Sequence, residues 1–228
     1  MKPKDRILNT QVDGLVEAVL TQEEQEALTP DGVIELLKEG SARFSSGKVT
    51  LRNHKEQVRK AASGQFPKAI VLSCVDSRVP VEDVFDRGIG DMFVARVAGN
   101  FVNSDILGSM EFACKVSGAK VVLVMGHEHC GAVKGAIDQV ELGNITDMLR
   151  KIQPAVASCS DYGGERSSAN PSYVNLVAEK NVQLNLDRIR KESPILRDMD
   201  AAGKIKIVGA MYNMDSGEVV FMDASPRH

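Results

Sequence analysis

The stretch "AIVLSCVDSRVP" (Ala69–Pro80) opens with four apolar residues in succession and then sets a thiol, a carboxylate and a guanidinium at alternate positions, Cys74, Asp76 and Arg78. An apolar run of strand length without polar alternation is the pattern of a strand covered on both faces. Chemistry-bearing side chains directly after it put a candidate site at the strand's carboxyl end, where open α/β sheets hold their ligands.

Similar runs recur on the C-terminal side as "MFVARV" (Met92–Val97), "KVVLVMG" (Lys120–Gly126) and "KIKIVGAMY" (Lys204–Tyr212). After the turn Asp215-Ser216-Gly217, "EVVFMD" predicts a last strand antiparallel to its predecessor. Helical patterns fill the gaps. Thr29 and Pro30 supply a cap hydroxyl and a first-turn proline for "GVIELLKEGSARFSSG". Ser104 or Asp105 is expected to cap "ILGSMEFACKV", which stops at Gly118, and residues 131–140, 145–157 and 173–191 also read as helices. The alternation predicts an α/β fold, with a mainly parallel central sheet, an antiparallel edge strand and helices on both faces. One domain over residues 1–228 is expected, with residues 1–28 as a helical N-terminal arm.

Composition sets the bounds. A chain of 228 residues that is 43% hydrophobic can bury a sizeable core, and a net charge of −3 argues against a nucleic-acid partner. Neither a secretory leader nor an apolar membrane-spanning stretch is read in the sequence, which predicts a cytoplasmic protein without a membrane partner. Four cysteines are too few for a disulfide scaffold. Cys114 and Cys159 read as buried thiols, which directs attention to the other two.

The third strand-like run ends in "GHEHCG", giving His127, His129 and Cys130. Two thiolates and one imidazole from neighbouring strand ends make a Cys2His set, which leaves a tetrahedral zinc one open position, the mark of a catalytic metal. Ligand softness favours Zn2+ over Mg2+ or Ca2+ and leaves copper and iron open. Other motifs fail: Gly131 stands where a metalloprotease H-E-x-x-H needs its second histidine, and "GIGDMF" puts Phe93 where a dinucleotide fingerprint needs its third glycine.

"CVDSRV" together with "GHEHCGAV", in this order and separation, resembles the β-class carbonic anhydrases, and the likeness runs from about "ARFSSG" to the final hairpin. The resemblance implies one Zn2+ per subunit on Cys74, His127 and Cys130. It leaves His129 beside the ligands, because the family's histidine stands three residues before the cysteine. It implies Asp76 and Arg78 as a catalytic dyad, and Gln65, Phe93 and Gly131 as substrate-binding positions. It further implies a homodimer or higher homo-oligomer with active sites at the dimer interface.

The implied reaction is the reversible hydration of carbon dioxide to bicarbonate and a proton. A zinc-bound hydroxide would be oriented by Asp76, while a bidentate Arg78 holds that carboxylate off the metal. One subgroup closes by ligating Asp76 to zinc, coupled to bicarbonate at a Trp-Arg-Tyr site whose matching positions here are Val71, Arg96 and Tyr212. The chain has no tryptophan, so the always-accessible subgroup is expected, with Asp76 a ligand only if a closed state forms. The competing readings are a carbonyl sulfide or carbon disulfide hydrolase on the same scaffold, and a non-catalytic zinc-binding protein.

Overall fold

The structure, a computed structural model, describes residues 11–12 and 14–222. In chain order it contains β1 (Gln11–Val12), β2 (Leu15–Val16), α1 (Gln22–Glu26), α2 (Pro30–Ser45), α3 (His54–Ala61), β3 (Ala69–Ser73), α4 (Val81–Val84), β4 (Met92–Arg96) and α5 (Ser104–Glu111). A π-helical turn (Phe112–Val116) leads to β5 (Val121–His127), α6 (Gly131–Ile137), α7 (Gly143–Arg150), α8 (Gln153–Ala157), α9 (Pro171–Glu192), α10 (Pro194–Ala201), β6 (Lys206–Tyr212) and β7 (Val219–Phe221).

The sheet has the order β4-β3-β5-β6-β7, parallel except for the last pair. β3 and β5 occupy its middle, and every residue of both is buried. Their side chains alternate between two cores. Ile70, Leu72, Val122 and Val124 pack under α5, α9 and α10 through Leu107, Met110, Val182, Leu186 and Leu196. Val71, Val121, Leu123 and Met125 pack under α2 and α4 through Val33, Leu37, Val81 and Val84. Burying each such side chain stabilises the fold by about 1.5–3 kcal/mol, which is what holds the two central strands in register. A third core lies beyond the carboxyl ends of the strands, where Cys74 and Cys130 pack among Phe101, Val133, Leu149, Tyr173 and Val177.

Several local expectations are corrected. Asn103 caps α5 by accepting from Ile106 N, not Ser104 or Asp105, because the chain turns helical one residue earlier. The helix expected over residues 145–157 is two, α7 and α8, with Pro154 in the first turn of the second. In the arm, residues 1–10 and 13 lie outside the described residues, and among the described ones α1 is the helix present, preceded by the short β1–β2 pairing. Among the described residues no helix is long and apolar enough to cross a membrane.

Candidate metal centre

β3 and β5 are hydrogen-bonded neighbours running in parallel, so their carboxyl ends meet on the same edge of the sheet. Cys74 follows the last residue of β3, His127 ends β5, and Cys130 is the N-cap of α6, so two adjacent strand ends and one helix start converge. The Cys74 and Cys130 sulfurs are 4.0 Å apart. One ligand atom from each of Cys74, His127 and Cys130 lies within 4.8 Å of the others, and all three residues are buried.

The histidine is oriented by its neighbour. Its Nδ1 is 2.8 Å from the Glu128 carbonyl, which only accepts, so Nδ1 carries the proton and Nε2 keeps its lone pair. Nε2 is buried without a hydrogen-bond partner among the described residues. An imidazole nitrogen left orphaned beside two sulfurs would be a desolvation cost, and a cation bound by all three removes it. The sulfurs tell the same story: contact with Cys130 brings the Cys74 thiol down to about 4, while Cys130, facing that thiolate, is pushed far above the ordinary thiol range. A second thiolate there needs a positive charge between the two. The residues therefore fit a thiophilic divalent metal.

Asp76 stands on the rim of this cluster, with Oδ2 3.9 Å from His127 Nε2. Arg78 grips it with two parallel bonds, Nε to Oδ1 at 2.9 Å and Nη2 to Oδ2 at 2.8 Å, while the Arg78 amide adds a third at 3.0 Å. That clamp holds the Asp76 carboxyl well below the usual carboxylate range. His129 is not among the three converging residues. It adopts a left-handed backbone, with φ of 55°, and its side chain groups with Glu128 and Asp215 instead.

The remaining expected positions are distributed differently. Gly131 begins α6 beside Cys130, with open space where a Cβ would stand. Phe93 is opposite Ile70 in the register and packs edge-on against Phe112, with ring centroids 6.1 Å apart, so it lies four residues short of Cys74 along the sheet. Gln65 is exposed in the segment that enters β3, and the strand's length of roughly 17 Å separates it from the Cys74 end of its own chain. Val71 is wholly buried in the second core, and Arg96 is committed to the site's own turn, donating from Nε to Cys74 O at 2.9 Å and from Nη2 to Asp76 O at 2.6 Å.

Three supporting residues escaped the reading of the sequence. Gly99, in a left-handed conformation with φ of 81°, donates its amide to Cys74 Sγ at 3.4 Å. Its carbonyl is held at 2.8 Å by Asn181 Nδ2, and Asn185 in turn donates to Asn181 O and accepts from Val102 N. Both asparagines are buried on α9. Their signal was a polar pair four residues apart inside an otherwise apolar helical stripe.

The comparisons with known proteins agree with this geometry. A family model described as carbonic anhydrase matches residues 69–219. Carbonic anhydrase 2 of Mycobacterium tuberculosis is 34% identical over 193 residues, covering 82% of this chain and 90% of the relative. The β-carbonic anhydrase CafA of Aspergillus fumigatus superposes with a TM-score of 0.68 at 26% identity, over 86% of this chain and 92% of that one. Tetrameric β-carbonic anhydrases from Sordaria macrospora share the fold at a TM-score of 0.65 and 23% identity, over 73% of this chain and 85% of theirs. With the family match spanning both strand ends that build the Cys-His-Cys cluster, the chain belongs to the β-class carbonic anhydrases, enzymes whose general reaction is the hydration of carbon dioxide.

Proposed function

We propose that this enzyme hydrates carbon dioxide with one Zn2+ per subunit, held by Cys74 Sγ, His127 Nε2 and Cys130 Sγ. The observation that carries the reading is the orphaned, buried Nε2 facing two thiol sulfurs, with an arginine-clamped carboxylate 3.9 Å away. Bound there, the metal supplies the Lewis acidity that makes a nucleophile of water near neutral pH.

The chain's own residues do the rest. Ionised Asp76 accepts a hydrogen bond from the attacking water's remaining O–H and so turns an oxygen lone pair toward the carbon. Arg78 occupies both carboxylate oxygens, which fixes the orientation of Asp76 and withholds it from the metal; a lysine has no such fork. The Gly131 amide donates to a substrate oxygen, a role that the open space at the start of α6 supports. Arg96 braces the Cys74–Asp76 turn from behind. With Arg96 so engaged and Val71 in the core, the always-accessible subgroup fits best, with Asp76 off the metal.

Gln65 reaches a site only if that site belongs to another copy. The half-exposed edge strand β4 and the exposed Phe112 beside Phe93 supply an uncovered surface for that copy, which supports a homo-oligomer with active sites at the subunit interface and Phe93 in the apolar wall there. One domain with residues 1–28 as its arm, and a reducing cytoplasm that keeps Cys114 and Cys159 as free thiols and Cys74 and Cys130 reduced for the metal, complete the reading.

The test is stopped-flow carbon dioxide hydration with metal analysis on wild type, His127→Ala and His129→Ala. Hydration and one zinc per subunit are expected for wild type and His129→Ala, and loss of both for His127→Ala. Full zinc retention by His127→Ala would remove the ligand assignment, and a zinc-loaded wild type without hydration would remove the function.

A further inference from the structure

At the amino ends of β3 and β4, opposite the metal centre, lies a cavity of about 70 Å³ walled by Val16, Ala18–Leu20, α2, the segment around Thr50 and Arg52, and the loop entering β4. Four cations face it, Arg43, Arg52, Lys68 and Arg87. The carboxylates nearby are already engaged. Asp86 takes Arg43, Arg52 and Thr50; Asp91 takes Lys68 and the Gly88 amide; Glu24 closes a capping box with Thr21.

Arg87 is left over. It donates from Nε to the Phe85 carbonyl at 2.8 Å and from Nη2 to the Leu36 carbonyl, both uncharged acceptors, and among the described residues no carboxylate oxygen comes within 4.0 Å of it. Burial pushes the Arg87 guanidinium down from its ordinary range, and the longer-range attraction of Asp91 and Asp86 does not make up for it. Among the described residues these four cations stand against three carboxylates, Asp86, Asp91 and Glu24, which leaves one positive charge in excess, and an uncompensated buried charge is expensive. Guanidinium groups do not deprotonate in proteins, so the remedy is an anion and not a lost proton.

We propose that this cavity binds a single small monovalent inorganic anion, a halide or an oxyanion of a few atoms, against Arg87. The volume suits it, exceeding the roughly 15 Å³ that one water needs on the same measure and leaving room for an ion of a few atoms. Lys68 and Arg52 supply further donors on the same walls, and residues 16–20 close the cavity from the side of the N-terminal segment. The anion therefore joins that segment to the sheet, and it acts on stability, not on the metal centre at the other end of β3.

The experiment uses the full-length, zinc-loaded enzyme. Crystals grown with sodium bromide in place of chloride should show an anomalous peak inside the cavity within hydrogen-bond reach of Arg87. In parallel, the melting temperature at equal ionic strength should be higher in sodium chloride than in sodium gluconate, whose anion does not fit, by roughly 3 °C. Arg87→Met should erase that difference while leaving zinc content unchanged. A cavity holding only water, or filled by a carboxylate from another part of this or a neighbouring chain, overturns the proposal; so does an Arg87→Met protein with the wild-type chloride response. If Arg87→Met does not fold, the bromide map of the wild type decides alone.

Discussion

Asp76 and Asp86 are both held by arginines, and both lie in the stretch of chain that joins β3 to β4. Asp76 meets Arg78 two residues along one turn, and that guanidinium is 56% exposed. Asp86 is 1% exposed and draws Arg43 and Arg52 across 43 and 34 positions of sequence. An exposed ion pair contributes little to folding, so the tight geometry at Asp76 is explained by the chemistry it orients. A buried, multiply hydrogen-bonded carboxylate is the opposite case: nothing reactive adjoins Asp86, yet three segments of chain depend on it.

The contrast predicts a double dissociation, beginning with its strongest effect. Asp86→Ala leaves Arg43 and Arg52 without their shared partner and is expected to cost about 3–5 kcal/mol in urea unfolding, with hydration per folded molecule unchanged. A smaller effect follows from protonation. Burial alone would raise the Asp86 pKa, but bonds from Arg52, Arg43 and Thr50 outweigh it and bring it to about 2. The unfolded value is about 3.9, so the folded state binds this proton less tightly. Stability from Asp86 is therefore fully present above about pH 4 and is lost as pH falls toward 2, amounting to about 2.5 kcal/mol. Asp86→Asn should flatten the acid limb of the unfolding midpoint in that window; an unchanged limb would mean that Asp86 is not the group responsible.

At Asp76 the expected losses are catalytic. Arg78→Ala should lower the hydration rate roughly 10- to 100-fold with zinc content and unfolding midpoint intact. A variant that instead lost stability and kept its rate would make the Asp76 pair structural and collapse the comparison. Asn181→Leu, which keeps the branching of the side chain and removes its polar atoms, is the mildest probe: it frees the Gly99 peptide that donates to Cys74. Zinc affinity should fall about 10-fold, and the thiolate charge-transfer band of the Co2+-substituted protein should shift. An unmoved band would mean that the asparagine ladder only packs.

These two clusters also separate what was legible in the chain from what was not. "CVDSR" and "GHEHCG" each fit within one turn, so spacing alone brought Cys74, Asp76 and Arg78, and separately His127 and Cys130, to strand ends. The apolar runs at 69–72 and 121–125 are unbroken because β3 and β5 are covered on both faces, and the structure puts them side by side at the centre of the sheet. α3, α4 and α10 went unread because each is eight residues or shorter, too few for an apolar repeat to stand out from its flanks. The Arg43–Asp86–Arg52 network was invisible for a different reason, since no pattern in sequence links partners so far apart.

The amino-acid sequence by itself determined the elements and the chemistry attached to their ends, because apolar run length, cap residues and ligand spacing act over a few residues. Only the tertiary structure decided which imidazole faces the sulfurs, with Glu128 O turning His127 and the left-handed backbone at His129 carrying that ring away. It alone assembled the asparagine support behind Cys74 and the cationic cavity around Arg87. Those depend on packing between distant segments, and the free energy that selects them comes from burial, which no local stretch contains.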